Sequence, residues 1–83
     1  MFRVELAVRP RPGVKDPQAE AVQESLTRLG HGGVNVDAVG RLLSLTIECD
    51  TAEEAERITA GLCDQLLVNP SLETYSVSVG EVA

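Results

Sequence analysis

Leu42-Leu43-Ser44-Leu45-Thr46-Ile47-Glu48-Cys49 is the longest alternating apolar run in the chain. Leu43, Leu45, Ile47 and Cys49 fall on one side, and Ser44, Thr46 and Glu48 on the other. A period of two with β-branched residues in its second half is the pattern of a strand with one apolar face. Gly40-Arg41 just before it is a turn signal, and Val34-Asn35-Val36-Asp37-Ala38-Val39 before that alternates again. The middle of the chain therefore predicts a β-hairpin, with arms at 34–39 and 42–49.

Upstream of the hairpin the reading is a strand, a connector and a helix. Phe2, Val4, Leu6 and Val8 alternate with Arg3, Glu5, Ala7 and Arg9, and Pro10 and Pro12 then stop the strand because neither can donate to a ladder. Asp16-Pro17 opens a helix: Asp16 suits the N-cap, and a proline is tolerated at the first helical position. Ala19, Val22, Leu26 and Leu29 recur at spacings of three and four and form an apolar stripe, and Gly30 closes the helix.

Downstream, Thr51 with Glu54 reads as a capping box at the start of a second helix. Ala55, Ile58, Leu62 and Leu66 form its stripe, widened by Cys63 and Leu67, and the helix must finish before Pro70, which disfavours helical geometry at Asn69. Glu73 to Val79 alternates as a last strand. The order β-α-β-β-α-β predicts an α+β, two-layer ferredoxin-like sandwich, with four antiparallel strands and both helices on one face. Residues 1–83 form a single domain.

A chain of 83 residues buries only about 60–65% of the surface it exposes when unfolded. With one Phe, one Tyr and no Trp, the core must be aliphatic. So small a core predicts that another subunit completes it, as a homodimer or higher homo-oligomer. Seven basic against thirteen acidic residues give a net charge of −6, which argues against nucleic acid as a partner because phosphate neutralisation lacks its residues. No run is long and apolar enough to predict a bilayer span. Cys49 and Cys63 match no metal spacing and read as free thiols in a reducing cytoplasm.

Candidate chemistry is sparse. His31 is the only histidine and sits in a glycine-flanked loop, where a solvated surface residue is the simpler reading. Glu53, Glu54 and Glu56 occupy early helical turns, where acids are favourable without any metal. No glycine-rich phosphate loop is present. The connector Arg9-Pro10-Arg11-Pro12-Gly13-Val14-Lys15-Asp16 carries three basic side chains to a helix start. It reads either as a proline-stiffened linker or as a receiver for a carboxylate, a phosphate or an acidic patch. It also resembles the Arg-Pro-Gly loop of amino-acid-binding ACT domains, so a ligand-sensing module is the alternative reading.

Several stretches together resemble one family. Asp16-Pro17-Gln18-Ala19 with Leu29-Gly30 resembles the Asp-Pro-Gln-Gly opening and Leu-Gly close of the first helix in the PurS subunit of phosphoribosylformylglycinamidine synthase. Cys63, Leu66-Leu67, Asn69 and Glu73-Thr74-Tyr75 resemble its second-helix ending, where a Cys, a Leu pair, an Asn and an acid-x-Tyr follow in that order. Gly40-Arg41 and Leu45-Thr46-Ile47-Glu48 are similar to its Gly-Lys turn and following strand. Ala19 replaces the usual Gly, Arg41 the usual Lys, and Ala38 a common Arg. The proline-rich connector also departs from the family's usual one.

The resemblance implies a non-catalytic subunit of a complex that uses ATP and glutamine to convert formylglycinamide ribonucleotide to its amidine in purine biosynthesis. A glutaminase subunit and a synthetase subunit are its implied partners, with this chain bridging them and assistance in ammonia transfer an open addition to that role. ATP, Mg and glutamine are used by those partners, and no cofactor, metal or catalytic residue is implied on this chain. Candidates for partner contact are Arg11 and Lys15 in the basic connector, and Asp16, Gln18, Arg41 and Asn69 in the stretches that carry the resemblance.

Overall fold

β1 (Phe2–Pro10) is the middle strand of the sheet, with β2 (Arg41–Ile47) on one side and β3 (Glu73–Glu81) on the other, both antiparallel to it. The computed structural model describes residues 1–82. The register sets Val4 between Leu45 and Val79, and Leu6 between Leu43 and Val77. The apolar phases read for these three strands therefore fall on one face. α1 (Pro17–Arg28) lies between β1 and β2, and α2 (Ala52–Leu62) between β2 and β3.

The sheet has three strands and not four. No ladder forms over 34–39, and the run at 42–49 is an edge strand that ends at Ile47. The alternation of Val34, Val36 and Ala38 was a fair strand signal, but side chains of α1 satisfy that backbone instead. The Gln23 amide donates to the Val34 carbonyl and accepts from the Val36 N–H, both at 2.8 Å. Asp16 Oδ2 accepts from the Val39 N–H at 3.0 Å. Once a segment's polar groups are paired locally, sheet pairing adds nothing more.

The helix ends follow the sequence closely. Asp16 Oδ1 accepts from the Ala19 N–H at 3.0 Å, and Thr51 Oγ1 accepts from the Glu54 N–H at 3.1 Å. Gly30 closes α1 with φ of 93°, a conformation that a side chain would oppose. The second helix does not run uniformly to its end, because Cys63–Leu67 forms a π-helical turn. In a regular α-helix, residues five apart point ~140° away from each other. The wider turn, closed by Val68 N–H to the Cys63 carbonyl at 3.2 Å, lets both Cys63 and Val68 reach the core.

The core lies between α2 and one face of the sheet. Val4, Leu6 and Ala55 are fully buried and Val8 nearly so, and Leu43, Leu67 and Val77 pack around the cluster of Leu6, Val8, Cys63 and Val68. Thr59 is buried too, and its hydroxyl donates to the Ala55 carbonyl at 2.8 Å. α1 takes almost no part in this core: α2 touches β1 and β3, whereas α1 has at most marginal contact with any strand. The two helices therefore do not share one sheet face within the chain.

The Cα radius of gyration is 16.2 Å, with extents of 50 × 30 × 14 Å. A compact chain of this length has a radius near ~12 Å. The molecule is thus a small sandwich with an arm, residues 11–40, standing off one end of the sheet.

Candidate functional site

Where the arm leaves the sheet, its root and the β3 entry enclose an open cleft of about 510 Å³. Lys15, Asp16 and Gln18 line one wall, Arg41 another, and Asn69 and Glu73 the third. Five of the six residues singled out from the sequence therefore meet in one place. Arg11, the sixth, lies beside the β3 entry, where its Nε donates to the Pro70 carbonyl at 2.8 Å and its backbone N–H to the Leu72 carbonyl at 2.9 Å.

Each wall has a local cause. Pro10 ends β1 and Gly13, with φ of 87°, turns the chain so that Lys15 and Asp16 reach the helix start. Asp16 then caps α1 with one oxygen and ties down Val39 with the other. The Ala19 N–H, and next the Val39 N–H, hold its carboxyl below the usual carboxylate range, against a smaller opposing effect of burial.

Across the cleft, Arg41 Nη2 donates to both carboxylate oxygens of Glu73, at 3.0 and 3.1 Å, and to the Leu67 carbonyl at 3.0 Å. Glu73 Oε1 also accepts from the Asn69 N–H at 2.9 Å. That backbone bond first, and the Arg41 guanidinium second, lower the Glu73 pKa. Asn69 organises the turn itself. Its Oδ1 accepts from the Ser71 N–H at 3.1 Å, and its carbonyl accepts from Leu72 and Glu73 at 3.0 and 2.7 Å. Gly40 is required here, since a Cβ would fall on the Val8 carbonyl oxygen where β2 begins against β1.

The cleft's charges are thus largely committed to holding three connections together. His31 is remote from it, exposed in the turn after α1, where its N–H donates to the Leu26 carbonyl at 2.8 Å. Among the described residues, no group of three or more His, Cys, Asp or Glu side chains is placed to hold a metal ion. Both thiols are free. Cys63 is buried, and desolvation, then Asp64, raise its pKa, opposed by a hydrogen bond with Tyr75. No helix is long and apolar enough to cross a membrane among the described residues.

Sequence reasoning missed Glu73, Gly40 and Gln23. Glu73 and Arg41 lie 32 positions apart, and no local pattern pairs them. Gly40 carried a turn signal but not its role in the close approach to β1. Gln23 looked like an off-stripe helical polar residue.

The geometry can be set beside known proteins. The family model for PurS, phosphoribosylformylglycinamidine (FGAM) synthase, matches residues 3–81. The chain belongs to the PurS family. Within it, the chain is 35% identical over 78 residues to the phosphoribosylformylglycinamidine synthase subunit PurS of Synechocystis sp., covering 94% of this chain and 78% of that one. The solved structure of B. subtilis PurS superposes with a TM-score of 0.85 at 31% identity, covering 98% of this chain and all of that one. A chain in the structure of PurLQS from Thermotoga maritima superposes with a TM-score of 0.85 at 31% identity, covering 94% and 95% of the two chains. PurS membership favours the complex-subunit reading over an ACT-like sensor.

Proposed function

We propose that this chain is the bridge of phosphoribosylformylglycinamidine synthase, holding a glutaminase subunit and a synthetase subunit together in the cytoplasm. The observation that carries the reading is the family match over residues 3–81. A PurS chain is the small subunit of that enzyme, a ligase complex of purine biosynthesis, and a PurS-like fold occurs in a structure named for three subunits together. The amidine-forming chemistry, with its ATP, Mg and glutamine, belongs to the other subunits. This chain contributes surfaces.

The same reading includes self-association. Val22 in α1 and Leu29 just after it are 44% and 74% exposed, and the extended radius of 16.2 Å leaves apolar surface open. Burying such surface in a second copy is the ordinary remedy for a core this small. The cleft with Lys15, Asp16, Gln18, Arg41 and Asn69, with Arg11 beside it, is the proposed contact with the other subunits.

The test is reconstitution. The tagged chain should recover a glutaminase and a synthetase from extract of its source cells, and the three together should form the amidine from glutamine and ATP. The purified chain by itself should turn over neither. Capture of neither subunit, or glutamine hydrolysis by the chain alone, would remove the proposal.

A further inference from the structure

The ionic groups of the cleft are not equally spent. Both acids are used up within the chain: each oxygen of Asp16 accepts a backbone N–H, and each oxygen of Glu73 accepts from Arg41, one of them also from Asn69. The cations keep donors in hand. Lys15 is exposed and makes no hydrogen bond or ion pair among the described residues. Arg41 engages its partners through Nη2 alone, which leaves Nε and Nη1 unused among the described residues. It is also the more accessible member of its ion pair, at 52% against 25% for Glu73. Arg11, beside the cleft, uses only Nε of its guanidinium in the same way. A chain of net charge −6 thus turns unused positive donors outward at this one place.

We propose that the cleft grips an acidic segment of one of the partner subunits, a carboxylate meeting Lys15 and an apolar side chain settling between Val14, Val39 and Leu72. This deepens the bridging role proposed above and rests on it. Charge complementarity selects the acid, because an incoming carboxylate finds N–H donors and no unsatisfied carboxylate facing it. The acids elsewhere on the chain oppose it little, since charges beyond about 8 Å are screened at physiological salt.

The walls select a peptide over a small anion. Val14, Val39 and Leu72 line the space between the cations, and a phosphate would leave that apolar surface in water. The start of α1 offers no anion seat either, because Asp16 already caps it and Pro17 has no N–H to give. A segment with an acid beside an apolar residue covers both kinds of surface, as a polar rim around an apolar centre does in other interfaces.

The test reconstitutes the full-length chain with the purified glutaminase and synthetase of its source cells and adds a water-soluble carbodiimide, which joins an amine to a touching carboxylate. The expected product is an amide between Lys15 and an Asp or Glu of one partner, located by peptide mass mapping. Lys15→Arg should lose that link and still assemble. Lys15→Glu should weaken assembly about tenfold or more while circular dichroism of the isolated chain stays unchanged. Normal assembly of Lys15→Glu would overturn the acidic docking yet leave the bridging role, whereas a wild type that assembles with neither subunit removes both. A link from Lys15 to an acid of its own chain would show the charge spent internally and would also overturn it. Inorganic phosphate that shields Lys15 from acetylation at matched ionic strength, with Lys15→Glu assembling normally, would replace the segment with a small anion.

Discussion

Gln23 holds Val36 as a neighbouring strand would, its side-chain oxygen accepting the Val36 N–H at 2.8 Å while its nitrogen donates to the Val34 carbonyl. One carboxamide thus stands in for a short piece of ladder. It joins α1 to its return segment.

Gln23→Ala removes both bonds at once. Each is partly exposed to water, so the expected loss is on the order of 1 kcal/mol in urea unfolding. Amide exchange reads the cause directly: the Val36 N–H should lose protection while those of β1 keep theirs. Retained protection at Val36 would show that the segment is held by something else.

Asn69→Ala removes the acceptor of the Ser71 N–H but leaves the Asn69 backbone bonds in place. Stability of the isolated chain should fall by about 0.5–2 kcal/mol, the range for a lost cap or turn bond. An unchanged melting curve combined with failed assembly would move the residue's role from the turn to the interface.

Gly40→Ala puts a methyl group against backbone and not against a flexible side chain. The start of β2 must shift, carrying Arg41 away from Glu73. A loss of about 2 kcal/mol or more is expected, since overlap in a packed site costs roughly 1–3 kcal/mol and a displaced register adds to it. Thermal unfolding checks it, and a change below 0.5 kcal/mol would contradict the close approach.

Acid should destabilise the fold through two carboxylates. Asp16 and Glu73 both have folded pKa values below their ordinary 3.8 and 4.5. A depressed folded pKa contributes stability that is fully present above the ordinary value and is lost as pH falls through the folded one. Unfolding free energy should therefore be flat in these groups above pH ~5 and decline on acidification below the ordinary range. Asp16→Asn should make that decline shallower, and an identical acid limb in wild type and variant would sink the assignment.

The chain's local instructions were largely legible in order of residues. Asp16 and Thr51 cap their helices, Gly30 closes α1, Pro10 ends β1 and Pro70 precedes β3, because each depends on one or two residues' own backbone preferences. The alternating phases of β1, β2 and β3 were legible for the same reason, since a pleat exposes its period within a few residues. The family resemblance was readable too, as an ordered set of short matches.

Only the tertiary structure decided the rest. An alternating run such as Val34–Val39 predicts a strand equally well whether or not a partner exists, and a glutamine 13 positions earlier took that partner's place. The amphipathic stripe of α1 shows that one face seeks apolar cover but not whose. The cleft likewise depends on Arg41 meeting Glu73 across the sheet and on Gly40 allowing β2 to approach β1. Local conformation is set by neighbours along the chain, whereas pairing is a competition among all groups that folding brings within reach, and a linear pattern carries no record of its winner.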